Sequence, residues 1–356
     1  MSYGGHEAKV YYTTESGAYG QTPASPVMHG FEDVESVEPA VDPGLIKVRG
    51  LGSRDLREIK AGLRRVNLKL AYVLPPDNVL DFLQHILTLY PQTIEVIYER
   101  GASIVDLRHM GCILDKATVE CSVESVIKAT VETIGQNLIP ETAKIPGATY
   151  VDYGGVIPFS ESYVQRGAAD GSALVANEEV TDWKFNIENN LKRVPVIRAN
   201  PTSLLTATAA SGQKVVAVTS GALFKTENMV KIEDTAASER NIIYSIASNN
   251  LTMLNNLANT YTVAAAGKTT ALVSDLLKYL QALHRVLTGE VTFEFENRAE
   301  YYDVINDAEF SLKFGLGLTN YALFKYCKWD SVGAPTKIED LVSVKAAFTA
   351  REVTLV

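Results

Sequence analysis

Residues 112–135 read CILDKATVECSVESVIKATVETIG, and the periodicity of this stretch decides the fold class. Ala117, Val119, Cys121, Val123, Ile127, Ala129, Val131 and Thr133 share one parity. Thr118, Glu120, Ser122, Glu124, Lys128, Thr130 and Glu132 share the other, with Val126 an apolar intruder. A period of two means extended chain, because successive side chains of a strand point to opposite faces. The run is about twice the usual strand length, so it reads as two strands joined near Glu124-Ser125-Val126. The expectation is a hairpin with an apolar face on the core and a carboxylate-rich face in water.

The same design recurs outward from the hairpin. Arg65 to Leu74 alternates Val66, Leu68, Leu70 and Tyr72 inward, and Pro75-Pro76 stops it. Thr93 to Tyr98 and Ser103 to Leu107 are short strand candidates. In TDWKFNIENN, residues 181–190, Trp183, Phe185 and Ile187 point in, and Asn189-Asn190 suits a turn that tolerates positive φ. Glu290 to Glu296 alternates Val291, Phe293 and Phe295 against threonine and glutamates. Ala308 to Phe314 does the same, and Leu341 to Val356 supplies one or two closing strands.

Three stretches break the alternation. Residues 1–44 mix Gly, Pro, Tyr, Ser and acidic residues, which predicts an N-terminal arm whose Tyr3, Tyr11, Tyr12 and Tyr19 are suited to contacts with a neighbouring subunit. Residues 136–178 are rich in Gly, Pro, Ala and Ser and read as a long surface loop. Residues 205–270 turn to Ala, Thr, Ser and Asn with short strands at Lys214 to Val218, Met229 to Glu233, Ile242 to Ala247 and Leu251 to Leu254. That pattern predicts an inserted small all-β domain. Two helices are expected, Val79 to Leu89 on its Leu80, Leu83, Ile86 and Leu87 stripe and Thr270 to Leu287 on its leucines. The division is thus an arm (1–44), a β body (45–204), the insertion (205–270) and a closing part of the body (271–356).

The 356 residues carry a formal charge of −9, which argues against a chain built to grip nucleic acid phosphates. Cys112, Cys121 and Cys327 form no CxxC pair and read as reduced, buried side chains. The first residues lack the basic and apolar regions of a secretory signal, and no run reaches the ~18 apolar residues of a membrane span. The expectation is a soluble protein made in a cytoplasm.

No catalytic constellation emerges. Gly267-Lys268-Thr269 resembles the end of a phosphate-binding loop, but the first glycine of that motif would fall at Thr262. Gly315-Leu316-Gly317 lacks a third glycine. His6, His29, His85, His109 and His284 have no ligand spacing, and carboxylates alternating on an exposed sheet are solvated rather than tuned for acid–base work. The reading is therefore a non-enzyme without cofactor or metal.

Taken together, the chain resembles the tail tube proteins of tailed bacteriophages and archaeal tailed viruses. The resemblance rests on Met110-Gly111-Cys112 leading into a hairpin closed by Ile134-Gly135, and on VTDWKFNIENNLKR at residues 180–193. It also rests on Glu290 to Lys313, the terminal strand pair, Tyr19-Gly20, Arg49-Gly50 and Gly52-Ser53-Arg54-Asp55. The segment Lys214 to Thr269 is similar to a small β module of virion structural proteins, with Phe224, Val230 and Ile232 as its core. The resemblance implies a mainly β, tail-tube-type sandwich or barrel with flanking helices that forms hexameric rings. These stack into a hollow tube, assembled in the host cytoplasm and carried in the virion, through which DNA passes without specific binding. Its partners are further copies of itself and other tail proteins, with no membrane. Thr118, Glu120, Ser122, Glu124, Lys128, Thr130 and Glu132 would line the channel. The alternatives are another virion component, such as a tail terminator or decoration protein, and a carbohydrate-binding β-sandwich adhesin. The adhesin would need exposed aromatics in a shallow groove; of the two tryptophans, Trp183 lies on the apolar parity of its strand and reads as core, which leaves Trp329.

Overall fold

The computed structural model describes residues 3–17, 19–31, 33–49, 51, 54–197, 199–294, 299–334 and 343–356. Gly50, Gly52-Ser53, Phe295, Glu296 and Leu341, named above, lie outside the described residues. The fold is mainly β. The chain divides into two compact units, one holding residues up to Ala40, Val66–Lys192 and Leu280–Val356, the other Val41–Arg65 and Arg193–Tyr279.

The first unit is built around the long strand Ser103–Ser122, which serves two sheets. Its first half pairs with Gln92–Arg100 on one side and Asn137–Glu141 on the other. Ala8–Thr14 extends that sheet beyond Gln92–Arg100, followed by Val27–Phe31 and, in parallel, Thr149–Val151. The second half of the long strand pairs with Lys128–Gly135 and with Val180–Glu188. Arg65–Val73 continues this second sheet on the Lys128–Gly135 side. On the other side follow Val286–Glu294, Ser343–Ala350 and the end of Tyr321–Gly333. The first half of Tyr321–Gly333 instead pairs with Phe310–Gly315 and Glu352–Leu355.

The expected hairpin is present, with its turn at Val123 to Ile127 and Glu124 at φ 64°. Ala117, Val119, Cys121, Ile127, Ala129, Val131 and Thr133 are buried, as the parity implied. Val123 is the exception at 52% exposed, because the turn lifts it off the pleat. The core that this face joins gathers Leu68, Leu70, Phe185, Phe314, Phe324 and Phe348 with the hairpin residues. Phe324 lies 5.1 Å from Phe185 and 5.7 Å from Phe348, an edge-and-tilt cluster favoured by ring quadrupoles.

Several expectations need correction. The first 44 residues are not an arm. Ala8–Thr14 is registered against Gln92–Arg100 along its whole length, and Tyr11 and Tyr12 are 4% and 3% exposed. A strand covered on both faces loses its alternation, which is why YY looked featureless. Residues 136–178 are not one loop, since Asn137–Glu141, Thr149–Val151, Val164–Ala168 and Val175–Ala176 are strands. These strands are too short to show a period; Val164–Ala168 and Val175–Ala176 pair with each other, while Asn137–Glu141, Thr149–Val151 and the other edge of Val164–Ala168 find partners far away in sequence.

The two expected helices shrink or vanish. In 79–89 only His85–Thr88 is α-helical, ended by Leu89 in the left-handed region, although Leu80, Leu83 and Ile86 are buried. Thr270 to Leu287 contains the end of the strand Lys268–Ala271, a 3-10 turn at Val273–Asp275, the strand Tyr279–Gln281 and the start of Val286–Glu294. Pairing of Lys268–Ala271 with Thr202–Leu204 and Met229–Glu233 outweighs the leucine spacing. His284, expected in that helix, is exposed outside any helix or strand. An α-helix does form at Ala299–Ile305, where none was expected.

The second unit is a small β domain wider than the 205–270 expected, with Val41–Arg65 added from far upstream. Met229–Glu233 and Ser238–Ala247 pair, and the latter passes on to Asn250–Met253, which carries Val215–Ala217. Phe224, Val230 and Ile232 are buried with Val216, Leu251 and Tyr261.

Candidate functional site

The outward face of the second sheet holds the residues singled out from the sequence. On the hairpin, Glu120 stands opposite Lys128, Thr118 opposite Thr130 and Lys116 opposite Glu132. Across the other edge of the long strand, Glu120 faces Lys184, Thr118 faces Asn186, Lys116 faces Glu188 and Ser122 faces Asp182. The next strand places Glu290 opposite Lys184, and the one after sets Lys345 opposite Thr292. On the far side Lys69 stands opposite Glu132.

The charges therefore form rows perpendicular to the strands. One row reads Lys128, Glu120, Lys184, Glu290, and the next but one reads Lys69, Glu132, Lys116, Glu188. Opposite charges directly across a sheet stabilise, whereas like charges repel. Lys184 Nζ lies 3.2 Å from Glu120 Oε2, Lys345 Nζ 2.6 Å from Glu290 Oε1, and Lys128 Nζ 2.5 Å from Glu35 Oε1. Thr118 Oγ1 donates to Asn186 Oδ1 at 2.6 Å. The face expected to be carboxylate-rich is in fact charge-alternating. The lysines that balance it sit on strands whose adjacency only folding reveals. Lys184 and Lys69 were legible as outward residues, but not as neighbours of Glu120 and Glu132.

A shallow cavity of about 480 Å³ opens on this face near the hairpin turn, lined by Glu120, Lys128, Asp182, Lys184, Glu290 and Lys345 among others. Glu124 lies in the turn itself, exposed beyond the rows. Of the seven hairpin residues predicted as a surface, Glu120, Ser122 and Lys128 line this cavity. Thr118, Thr130 and Glu132 lie further along the same face.

The four tyrosines do not form one contact surface. Tyr11 and Tyr12 belong to the interior, while Tyr3 packs 6.1 Å from Tyr98 with Arg100 over its ring at 5.4 Å. Tyr19 is half-buried beside Gly111. Both tryptophans are buried, Trp183 at 5% and Trp329 at 8% exposure, so neither offers a ring face to a sugar in this fold. Trp183 Nε1 donates to Ser162 Oγ at 3.0 Å, and Trp329 Nε1 to Asp303 Oδ2 at 3.2 Å.

Behind the first sheet lies a polar network that sequence reading missed. Glu95, Asp106 and Arg108 are almost fully buried. Arg108 reaches Asp106 Oδ2 at 3.4 Å and Glu141 Oε1 at 3.1 Å. Glu95 accepts from Ile145 N at 3.0 Å and from Tyr150 Oη at 2.7 Å, which pins the segment between them. Burial, and then the charge and hydrogen bond of Glu95, hold the Asp106 carboxyl well above the usual carboxylate range, against the pull of Arg108. The signal available in the sequence was Glu95 and Asp106 inside the strand candidates Thr93 to Tyr98 and Ser103 to Leu107, with Arg108 directly after the second. Among the described residues no group of three or more His, Cys, Asp or Glu is placed to hold a metal ion. Among the same residues no helix is long and apolar enough to cross a membrane.

No protein-family model and no curated protein matches the chain.

Proposed function

We propose that this chain is a structural virion protein that polymerises as stacked hexameric rings into a hollow tail tube conducting viral DNA, with the hairpin face lining the channel. The observation that carries the reading is the hairpin itself. One strand of twenty residues is anchored in two sheets, and its second half presents a hydrophilic face together with its neighbouring strands. Interleaving Lys128, Lys184 and Lys345 with Glu35, Glu120 and Glu290 ties each lysine to a carboxylate. A polyanion is gripped by arrays of cations that displace its counterions. A face on which these three cations are each held by a carboxylate, and Lys69 and Lys116 stand opposite Glu132, offers no such array, so a duplex could slide along it.

The test is negative-stain electron microscopy of the purified protein over a concentration series, alongside analytical ultracentrifugation. Six-fold rings or hollow tubes are expected. Monomers at every concentration, with no growth on purified tail-tip complexes, would overturn the reading.

A further inference from the structure

The segment that opens the second unit is exposed to an unusual degree. Ile46–Val48 and Glu58–Lys60 pair as a two-stranded ribbon, and all six residues are exposed. Leu45, Ile46, Val48 and Ile59 are between 40% and 55% exposed, and Leu51 is 98% exposed. Lys47 and Ile59 project to one face of the ribbon, Ile46, Val48, Glu58 and Lys60 to the other. An isolated two-stranded ribbon is marginal in water, and apolar side chains on both of its faces call for a cover.

The charge of this segment identifies the cover. Residues 45–60 hold five basic and two acidic side chains, a net +3 in a chain of −9. Every other part of the molecule together therefore carries −12, and a further copy is the partner whose surface has the opposite sign. Within the first unit an open cavity of about 590 Å³ carries Glu178, Glu179 and Glu300 on its wall, beside Val175 and Ala176. Val175 is 69% exposed, and the short strand Val175–Ala176 is exposed at both positions. The basic side chain there, Arg166, is engaged by Glu300 at 3.8 Å and by Asp303. The basic ribbon and the acidic groove are complementary in charge, and the exposed Val175–Ala176 edge beside the carboxylates offers a small apolar contact for the ribbon's side chains.

We propose that the ribbon of one copy docks in the carboxylate groove beside Val175–Ala176 of another copy. The contact is heterologous, with different patches on the two subunits, and such a contact propagates into rings or filaments rather than stopping at a dimer. This inference rests on the self-assembling reading above and names the surfaces that would drive it.

Cysteine pairing between two separately made proteins tests it. Cys112, Cys121 and Cys327 are buried, so an introduced surface thiol reacts alone. An Ile59→Cys protein is mixed with a size-tagged Ala176→Cys protein and oxidised, against a control that replaces Ala176→Cys by Tyr90→Cys. A mixed disulfide at least tenfold above the control is expected, decreasing as salt is raised. Lys47→Glu with Lys60→Glu should abolish it, and Glu178→Lys in the partner should restore it. A yield no higher than the control, or pairing of Ile59→Cys with itself instead, would overturn the inference. Micrographs of the uncrosslinked protein report separately on tubes. Tubes without the mixed disulfide sink this contact alone, whereas the mixed disulfide with neither tubes nor growth on tail-tip complexes sinks the tail-tube reading and leaves the contact standing.

Discussion

Glu15 Oε1 accepts a hydrogen bond from the Gly111 backbone N–H at 2.7 Å, joining the N-terminal segment to the point where the long strand leaves one sheet for another. Its other contacts complete a clamp, with Thr93 Oγ1 donating at 3.0 Å and Gly20 N at 2.7 Å. Gly111 has φ 64°, and a Cβ there would meet Gln136 Cβ at 2.9 Å and Tyr19 Cε2 at 3.0 Å. The register of the Gln92–Arg100 pairing also shifts here, between Gln92 and Ile94.

Replacing Glu15→Gln turns one accepting oxygen into a donor facing other donors inside a buried site. The expected cost is about 1–3 kcal/mol in denaturant unfolding. Gly111→Ala adds left-handed strain and a clash, and should cost at least as much. A change under about 0.5 kcal/mol for both would show that the clamp does not hold the crossover.

Gly289 sits at the centre of the second sheet, opposite Phe185 on one side and Phe348 on the other. A Cβ there would come within 2.5 Å of the Phe348 ring and 2.6 Å of the Lys184 carbonyl oxygen. Gly289→Ala should destabilise by about 1–3 kcal/mol, and Phe348→Ala by about 3–5 kcal/mol. The double variant should cost less than the sum, because the smaller ring position relieves the clash.

His109 is fully buried, and burial pushes its imidazole down to about 4 against the favourable carbonyls of Leu107 and Ile94. A depressed folded-state value means that the neutral ring contributes fully above pH 6.5 and that this contribution is lost as pH falls toward 4. The loss is about 3 kcal/mol over that window. Asp106 acts in the opposite sense, since a carboxyl raised by burial and Glu95 weakens the fold as pH rises from the ordinary carboxylate range. Stability should therefore fall on both flanks, and His109→Phe should flatten the acid flank only. An unchanged acid flank in urea unfolding across pH would refute the assignment.

The Lys184–Glu120 pair is about half exposed on both sides, so breaking it should cost between 0 and about 1 kcal/mol. Under the tube reading the consequence lies elsewhere. Glu120→Lys with Glu290→Lys leaves a cationic stripe, and should leave assembly intact while DNA binding, measured by fluorescence anisotropy at low salt, rises at least tenfold. Unchanged DNA affinity in assembled tubes would place the face away from the channel.

Much of the fold was legible in the chain itself. Strands that are half buried, such as Arg65–Val73, Lys128–Gly135 and Val180–Glu188, show their faces by alternation, because one side meets the core and the other meets water. Asn190 at φ 50° follows the same local logic. What alternation cannot show is which strands are neighbours. Ala8–Thr14 was hidden because both of its faces are covered, and the leucines at 272–287 mimicked a helix because spacing is silent about distant pairing partners. The outward residues of the hairpin were set by the sequence alone, through the two-residue period of an extended backbone. Their electrostatic character was decided by tertiary structure, because only cross-strand pairing brings Lys184, Lys116 and Lys69 alongside Glu120 and Glu132 and turns an acidic stretch of sequence into a balanced surface.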